Sequence, residues 1–122
     1  YYSIQGNLLT SSAVVEGAVV AFLAADGSLE DRAIAAMEAA DAAGGDRRCS
    51  CQTRPVPAVP CETRHALVAY FLAVDPRDPQ GTSFNDGGYR LYIDVTDENI
   101  LPSENANPVV TLRTRYDAMR ER

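Results

Sequence analysis

Tyr89-Arg90-Leu91-Tyr92-Ile93-Asp94-Val95 decides the fold class. Tyr89, Leu91, Ile93 and Val95 fall on one face and Arg90, Tyr92 and Asp94 on the other. This is the two-residue period of a strand with one buried side. Upstream, residues 63–74 are almost continuously apolar, with His65, Tyr70 and Phe71 among small aliphatics. That character predicts a strand covered on both faces. Residues 75–88, rich in Pro, Asp, Asn and Gly, predict a long turn with Asn85-Asp86-Gly87-Gly88 at its tip or exit. The three stretches together read as a long antiparallel hairpin.

Working outward, the flanks read as helices and one further strand. Residues 1–9 begin with aromatic and β-branched side chains and predict a strand. Thr10, Ser11 and Ser12 offer N-caps to a helix whose stripe is Val14, Val15, Ala18, Val19 and Phe22, and Asp26-Gly27 breaks it. Ser28 caps a second helix with Glu30 and Asp31 in its first turn, where the helix dipole favours negative charge. Leu29, Ala33, Ile34, Met37 and Ala40 form its expected buried face, and Gly44-Gly45 ends it. Asn107-Pro108 is an N-cap and first-turn signature for a last helix with Val109, Leu112, Tyr116 and Met119 on one side. The expected order is therefore strand, helix, helix, strand, strand, helix, a layered α/β arrangement. Three strands are few for three helices, so further strands are expected to pair with the exposed edges, from another chain or a missing segment.

At 122 residues the chain is one domain or part of one. A chain that opens with Tyr1-Tyr2-Ser3 and no initiator Met is expected to follow a processing event or to lie within a longer protein. Its longest apolar run, residues 66–74, is far below the roughly 18 residues that cross a bilayer, so no membrane span is expected. The net charge is −6, and the arginines alternate with acids instead of forming a basic stripe, which argues against nucleic-acid binding.

Cys49, Cys51 and Cys61 lie in a loop rich in Pro and Arg that cannot bury much apolar surface. A cross-link is the natural way to order such a loop. One bridge to Cys61 would close about ten residues and contribute roughly 2–3 kcal/mol. The remaining thiol would then look for a partner outside the segment, in a secreted, extracellular or periplasmic setting. Zinc and free thiols stay open as readings, although Cys-x-Cys with one distant His65 is a poor zinc pattern, and neither metal nor cofactor is expected.

Three stretches also carry a family likeness. Tyr2-Ser3-Ile4-Gln5-Gly6-Asn7-Leu8-Leu9, then Ala39-Ala40-Asp41-Ala42-Ala43-Gly44-Gly45-Asp46-Arg47-Arg48, and then residues 85–95 followed by the Asn-Pro helix occur in this order. They resemble the family called domain of unknown function 1028, which is classed with the N-terminal-nucleophile hydrolases. The resemblance implies an αββα four-layer fold of which this chain is the C-terminal portion. It also implies amide attack by a Ser, Thr or Cys at the start of a full-length domain, with its own amine as base. Tyr1 cannot be that nucleophile, so the chain alone is expected to be inactive, with its attacking group on a missing N-terminal segment or companion chain.

Within the chain, Gln5 and Asn7 could place amide donors near an oxyanion, or Asn7 could cap a turn for which Gly6 supplies an unusual backbone angle. Asp46 and Arg47 could hold a polar ligand, or close a helix C-cap as an ion pair. His65 reads as structural. Asp94, Asp97, Glu98 and Asn99 read as a solvated acidic turn, lacking the glycine pattern of a calcium loop. Two functions are therefore expected: a part of an amide hydrolase, or a non-catalytic secreted module that builds a homo-oligomer or extracellular filament.

Overall fold

A computed structural model describes residues 2–46, 66, 68–81 and 89–120. Cys49, Cys51, Cys61, His65, Arg47 and the expected turn tip at residues 85–88 lie outside them. Among the described residues, three helices and a two-stranded antiparallel sheet follow in the order α1 (Ala13–Ala24), α2 (Leu29–Ala42), β1 (Ala69–Ala73), β2 (Leu91–Val95) and α3 (Pro108–Arg120). The chain is an α/β mix, as its periodicities predict.

The helix boundaries follow local chemistry. The Ser28 hydroxyl accepts the Asp31 N–H at 3.1 Å while the Asp31 carboxylate accepts the Ser28 N–H at 3.1 Å, a complete capping box. At the other end of α2 the Gly45 N–H donates to the Ala40 carbonyl and the Gly44 N–H to the Asp41 carbonyl, each at 3.0 Å. This is the Schellman pattern, and Gly44 at φ 110° and Gly45 at φ 52° supply its left-handed backbone. The Asn107 side chain accepts the Val109 N–H at 3.0 Å, and Pro108 occupies the first helical position of α3. At α1 the cap falls within the expected set. Ser12 stands at the N-cap without a side-chain bond, and Ser11 accepts the Ala13 N–H instead.

The hairpin pairs Ala69 with Val95, Phe71 with Ile93 and Ala73 with Leu91, leaving Tyr70 opposite Asp94 and Leu72 opposite Tyr92. Ala69, Phe71, Ile93 and Val95 point inward and join Ile34 of α2 and Val109, Leu112 and Tyr116 of α3 in one buried cluster. Helix α3 packs on both strands and on α2, and α1 packs on α2.

Three expectations are corrected. In place of a strand at the start of the chain, residues 2–9 hold, among the described residues, one antiparallel bridge from Leu9 to Asp46. A β-prone stretch becomes a strand only where a neighbouring ladder accepts it. Strand β1 is covered on one face: Tyr70 is 46% exposed and Val74 76%. Its apolar run carries no period of its own, so the sequence cannot tell one covering layer from two. Leu29 is 69% exposed, because it is the first residue of α2 and the buried face starts a turn later at Ala33 and Ile34.

After β2 the chain is tied to α3 by one guanidinium. Arg115 donates through Nε and Nη2 to the two oxygens of Glu104 at 3.0 and 2.7 Å, through Nη1 to the Asp94 carbonyl at 2.9 Å and through Nη2 to the Asn99 carbonyl at 3.1 Å. The acidic run at residues 94–99 is thus a turn organised around Asn99, whose carboxamide oxygen accepts the Thr96 N–H. Arg115 first, and then the Leu101 N–H, lower the Glu104 carboxyl from its usual 4.5 to about 2. Its depressed folded-state value means that the contribution is full above 4.5 and lost as pH falls towards about 2. Glu104→Gln should therefore flatten the acid limb of stability against pH in that window, measured by urea unfolding at successive pH values. An unchanged limb would show that the Arg115 fork does not couple to folding.

Removing the α3 cap tests the other end of the same helix. Asn107→Ala should lose about 2 kcal/mol, as a lower urea midpoint with an unchanged slope.

Candidate functional site

The expected motifs meet in space. Thr10 donates its N–H to the Gly45 carbonyl at 2.9 Å and its hydroxyl to the Gly44 and Gly45 carbonyls at 2.8 and 3.1 Å. A hydroxyl that satisfies the carbonyls of the turn closing a helix also docks its own segment there. With the Leu9–Asp46 bridge beside it, this docking closes the Gln5-Gly6-Asn7 stretch onto the Gly-Gly-Asp turn. Gly44 is fixed twice over. Its φ of 110° is left-handed, and a Cβ there would come 3.0 Å from the Thr10 methyl.

The backbone ahead of the dock is strained at Leu8, with φ 55°. A non-glycine residue in that region costs on the order of 1 kcal/mol. Gly6 does not supply the unusual angle. It is small because a Cβ would meet the Leu9 side chain at 2.6 Å. At its far end the segment is held by Tyr2, whose ring lies 5.3 Å from that of Phe22. Arg32 sits over the other ring at 5.5 Å and donates to the Leu23 and Ala25 carbonyls, closing the end of α1.

Beneath this segment lies an open groove of about 300 Å³. Ile4, Gln5 and Leu9 form one wall, Val14, Val15 and Ala18 of α1 with Met37, Ala40 and Asp41 of α2 the floor, and Val68, Ala69 and Tyr70 the wall opposite. Gly45 and Asp46 stand at one end. The lining is mostly apolar with a few polar groups, the usual character of a small-molecule site. Asp41 is braced from α3, since the Asn107 amide donates to its Oδ2 at 2.9 Å. On the outer sheet face beside the groove, burial, and secondarily Asp94 and Tyr70, raise the Tyr92 hydroxyl above its usual range.

Of the residues singled out in the sequence, Gln5 and Asp46 line this groove. Gln5 is exposed and its amide donates to the Ser3 hydroxyl at 3.4 Å. Asn7 is exposed and is not among the lining residues. Arg47 and the cysteines lie outside the described residues. Sequence reasoning missed Thr10 as a dock, because its partners are 34 and 35 positions away. It also missed Ala18, Met37 and Ala40 as a floor, since small residues on a helix face carry no ligand signal. Among the described residues no group of three His, Cys, Asp or Glu side chains could hold a metal ion, and no helix is long and apolar enough to cross a membrane.

Residues 1–56 match the model of a family described as Family of unknown function (DUF1028). The matched residues, which are similar to that family, include α1, α2, the Schellman turn and the segment docked on it. No curated protein and no solved structure matches the chain.

Thr10→Val keeps the shape of the dock and removes its hydroxyl. Amide hydrogen exchange at residues 9–10 and 44–46 should quicken about tenfold or more, for a lost bond of about 1.5 kcal/mol to two carbonyls. Unchanged exchange would mean that the Leu9–Asp46 bridge holds the segment alone.

Proposed function

We propose that this chain holds a small ligand in the groove where the family's two motifs meet. The observation that carries the reading is the docking of Thr10 and Leu9 on the Gly44–Asp46 turn, which builds one wall and the floor of the groove out of residues within the matched stretch. The resemblance extends it one step. In an N-terminal-nucleophile hydrolase of αββα layering, the groove would be the substrate-side wall of an amide-hydrolysing site. The attacking group would then come from outside this chain, on a preceding segment or companion chain. A secreted setting, extracellular or periplasmic, with the cysteine loop cross-linked, belongs to the same proposal.

A second reading has its own observation. The outer sheet face leaves Val68, Tyr70 and Val74 open, and α1 turns Val20 and Leu23, 66% and 55% exposed, away from α2. Apolar side chains in such number suit a covering surface. A homo-oligomeric, non-catalytic module, extended into a filament, would bury them.

The purified chain, incubated with a panel of acyl anilides and amino-acid amides, should release no amine. NMR shifts from amide fragments should centre on Met37, Ala40 and Tyr70 and disappear in Ala40→Phe. Turnover by this chain alone would overturn the outside nucleophile, and shifts centred elsewhere would overturn the groove. Light scattering that gives a monomer at high concentration would sink the oligomeric reading.

A further inference from the structure

Asp26 and Gly27 stand in the short loop that joins α1 to α2. An aspartate side chain can close on the main-chain nitrogen of the next residue, because the ring so formed is five-membered. Two things ordinarily prevent this in a folded chain: a nitrogen engaged in secondary structure, and a following side chain that crowds it. Neither operates here. Asp26 and Gly27 are exposed, and among the described residues neither the Asp26 carboxyl nor the Gly27 N–H makes a hydrogen bond or ion pair. Gly27 has no side chain and holds φ 102°, a region that glycine enters freely.

The other described aspartates are held back. Asp31, Asp41 and Asp117 stand in helices, where the next N–H is engaged in the helical ladder. Asp75 and Asp78 precede Pro76 and Pro79, which have no N–H. Asp46, Asp94 and Asp97 precede Arg47, Val95 and Glu98, residues with side chains that crowd the nitrogen.

We propose that Asp26 is a site of spontaneous main-chain rearrangement, in which isoaspartate forms at residue 26 and loosens the cap of α2. The Gly27 nitrogen bonds to the Asp26 Cγ. One carboxyl oxygen departs as water, with the amide hydrogen and a proton from solvent, and a succinimide is left. Water then opens the ring. Cleavage of the new bond restores aspartate. Cleavage of the original peptide bond leaves Gly27 joined through Cγ, with the former main-chain carbonyl now a carboxylate. Nothing is oxidised or reduced, and the product has one extra main-chain atom at unchanged mass.

That atom enters a loop whose ends are fixed. The Ala25 N–H donates to the Ala21 carbonyl, and the Ala25 carbonyl accepts from Arg32 at 3.0 Å. Ser28 is bonded to Asp31 in the capping box. Between them Gly27 lies so close to the Asp31 side chain that a Cβ would come 2.5 Å from its Oδ2. A longer main chain cannot be taken up on that side without displacing Asp31. The same carboxylate holds Tyr116 and Arg120 of α3, so the rearrangement reaches both the α2 cap and that end of the α2–α3 contact.

The test is storage of the purified chain at neutral pH, followed by tryptic mapping with electron-transfer fragmentation, which tells isoaspartate from aspartate. The peptide that ends at Arg32 should show a transient species lighter by one water. An isomer of unchanged mass, with isoaspartate at residue 26, should follow it. Asp26→Glu, whose ring would be six-membered, should lose both signals. Asp86-Gly87 falls in another tryptic peptide and is read separately. In the isomerised fraction, amide exchange at Asp31 and Arg32 should quicken about tenfold, the loss expected of a helix cap. Aspartate retained at residue 26, whether or not Asp86 isomerises, would overturn the proposal. Isoaspartate at residue 26 with unchanged exchange would overturn its effect on the cap.

Discussion

Three polar contacts set how α2 lies against α3, and the rest of the molecule depends on that register. Asp31, Glu38 and Asp41 are spaced so that all three lie on one face of α2. They meet, in reverse order along α3, Tyr116 with Arg120, then Arg113, then Asn107. Reversed order makes the helices antiparallel, with each contact excluding a slip of the others. The Ser28 N–H foremost, and then the Tyr116 hydroxyl, hold the Asp31 carboxyl below its usual range, so it stays an acceptor at neutral pH. Part-exposed ion pairs are worth only about 0–1 kcal/mol each. The larger stabilisation comes from Ile34, Val109, Leu112 and Tyr116, sealed beneath at roughly 25 cal/mol per Å² of apolar surface. The polar pairs select one alignment among those that this apolar surface would accept. A one-turn slip would part the Asn107 amide from Asp41 in a site with little water to replace it.

That register is passed to the sheet through α3. Tyr116 sits edge-on to Phe71 with ring centres 6.1 Å apart, and Arg113 and Arg120 cover its ring from above at 5.9 and 5.5 Å. The same helix holds the end of β2 through Arg115. The hairpin is therefore placed by a helix that follows it in the chain, and β1 reaches the groove wall only because α3 carries it there.

What was legible in the sequence was local. Ser28, Gly44-Gly45 and Asn107-Pro108 mark helix ends through bonds within a few residues, and the alternation at Leu91–Val95 needs only one buried face. The seam was not legible, because Asp31, Glu38 and Asp41 find partners 66 to 89 positions away and look like an ordinary solvated helix face. Residues 2–9 misled for a related reason. Their aromatic and β-branched content favours a strand wherever a ladder is offered, and among the described residues it is Asp46 that offers a bridge to them. At the candidate site the resemblance brought Gln5 and Asp46 forward, whereas the floor of alanines and Met37 reads as routine helix packing. Its meaning depends on residues 2–9, whose position over it no periodicity encodes.

Stability and openness are divided between two sides of the molecule. Every residue of the central buried cluster comes from α2, the hairpin and α3. Helix α1 buries Val14 and Ala18 outside that cluster, leaves Val20 and Leu23 exposed, and meets residues 2–9 in the ring contact of Phe22 with Tyr2, while Thr10 docks on the turn that ends α2. The groove lies along this lightly held seam. Local opening is cheapest where few apolar contacts are lost. Residues 2–9 bring only Ile4 and Leu9 half-buried to this seam and carry the strained Leu8. The element that aligns the core, α3, packs on α2 and on both strands, whereas that segment rests on α1 through Tyr2 and reaches the turn that ends α2 through Leu9 and Thr10.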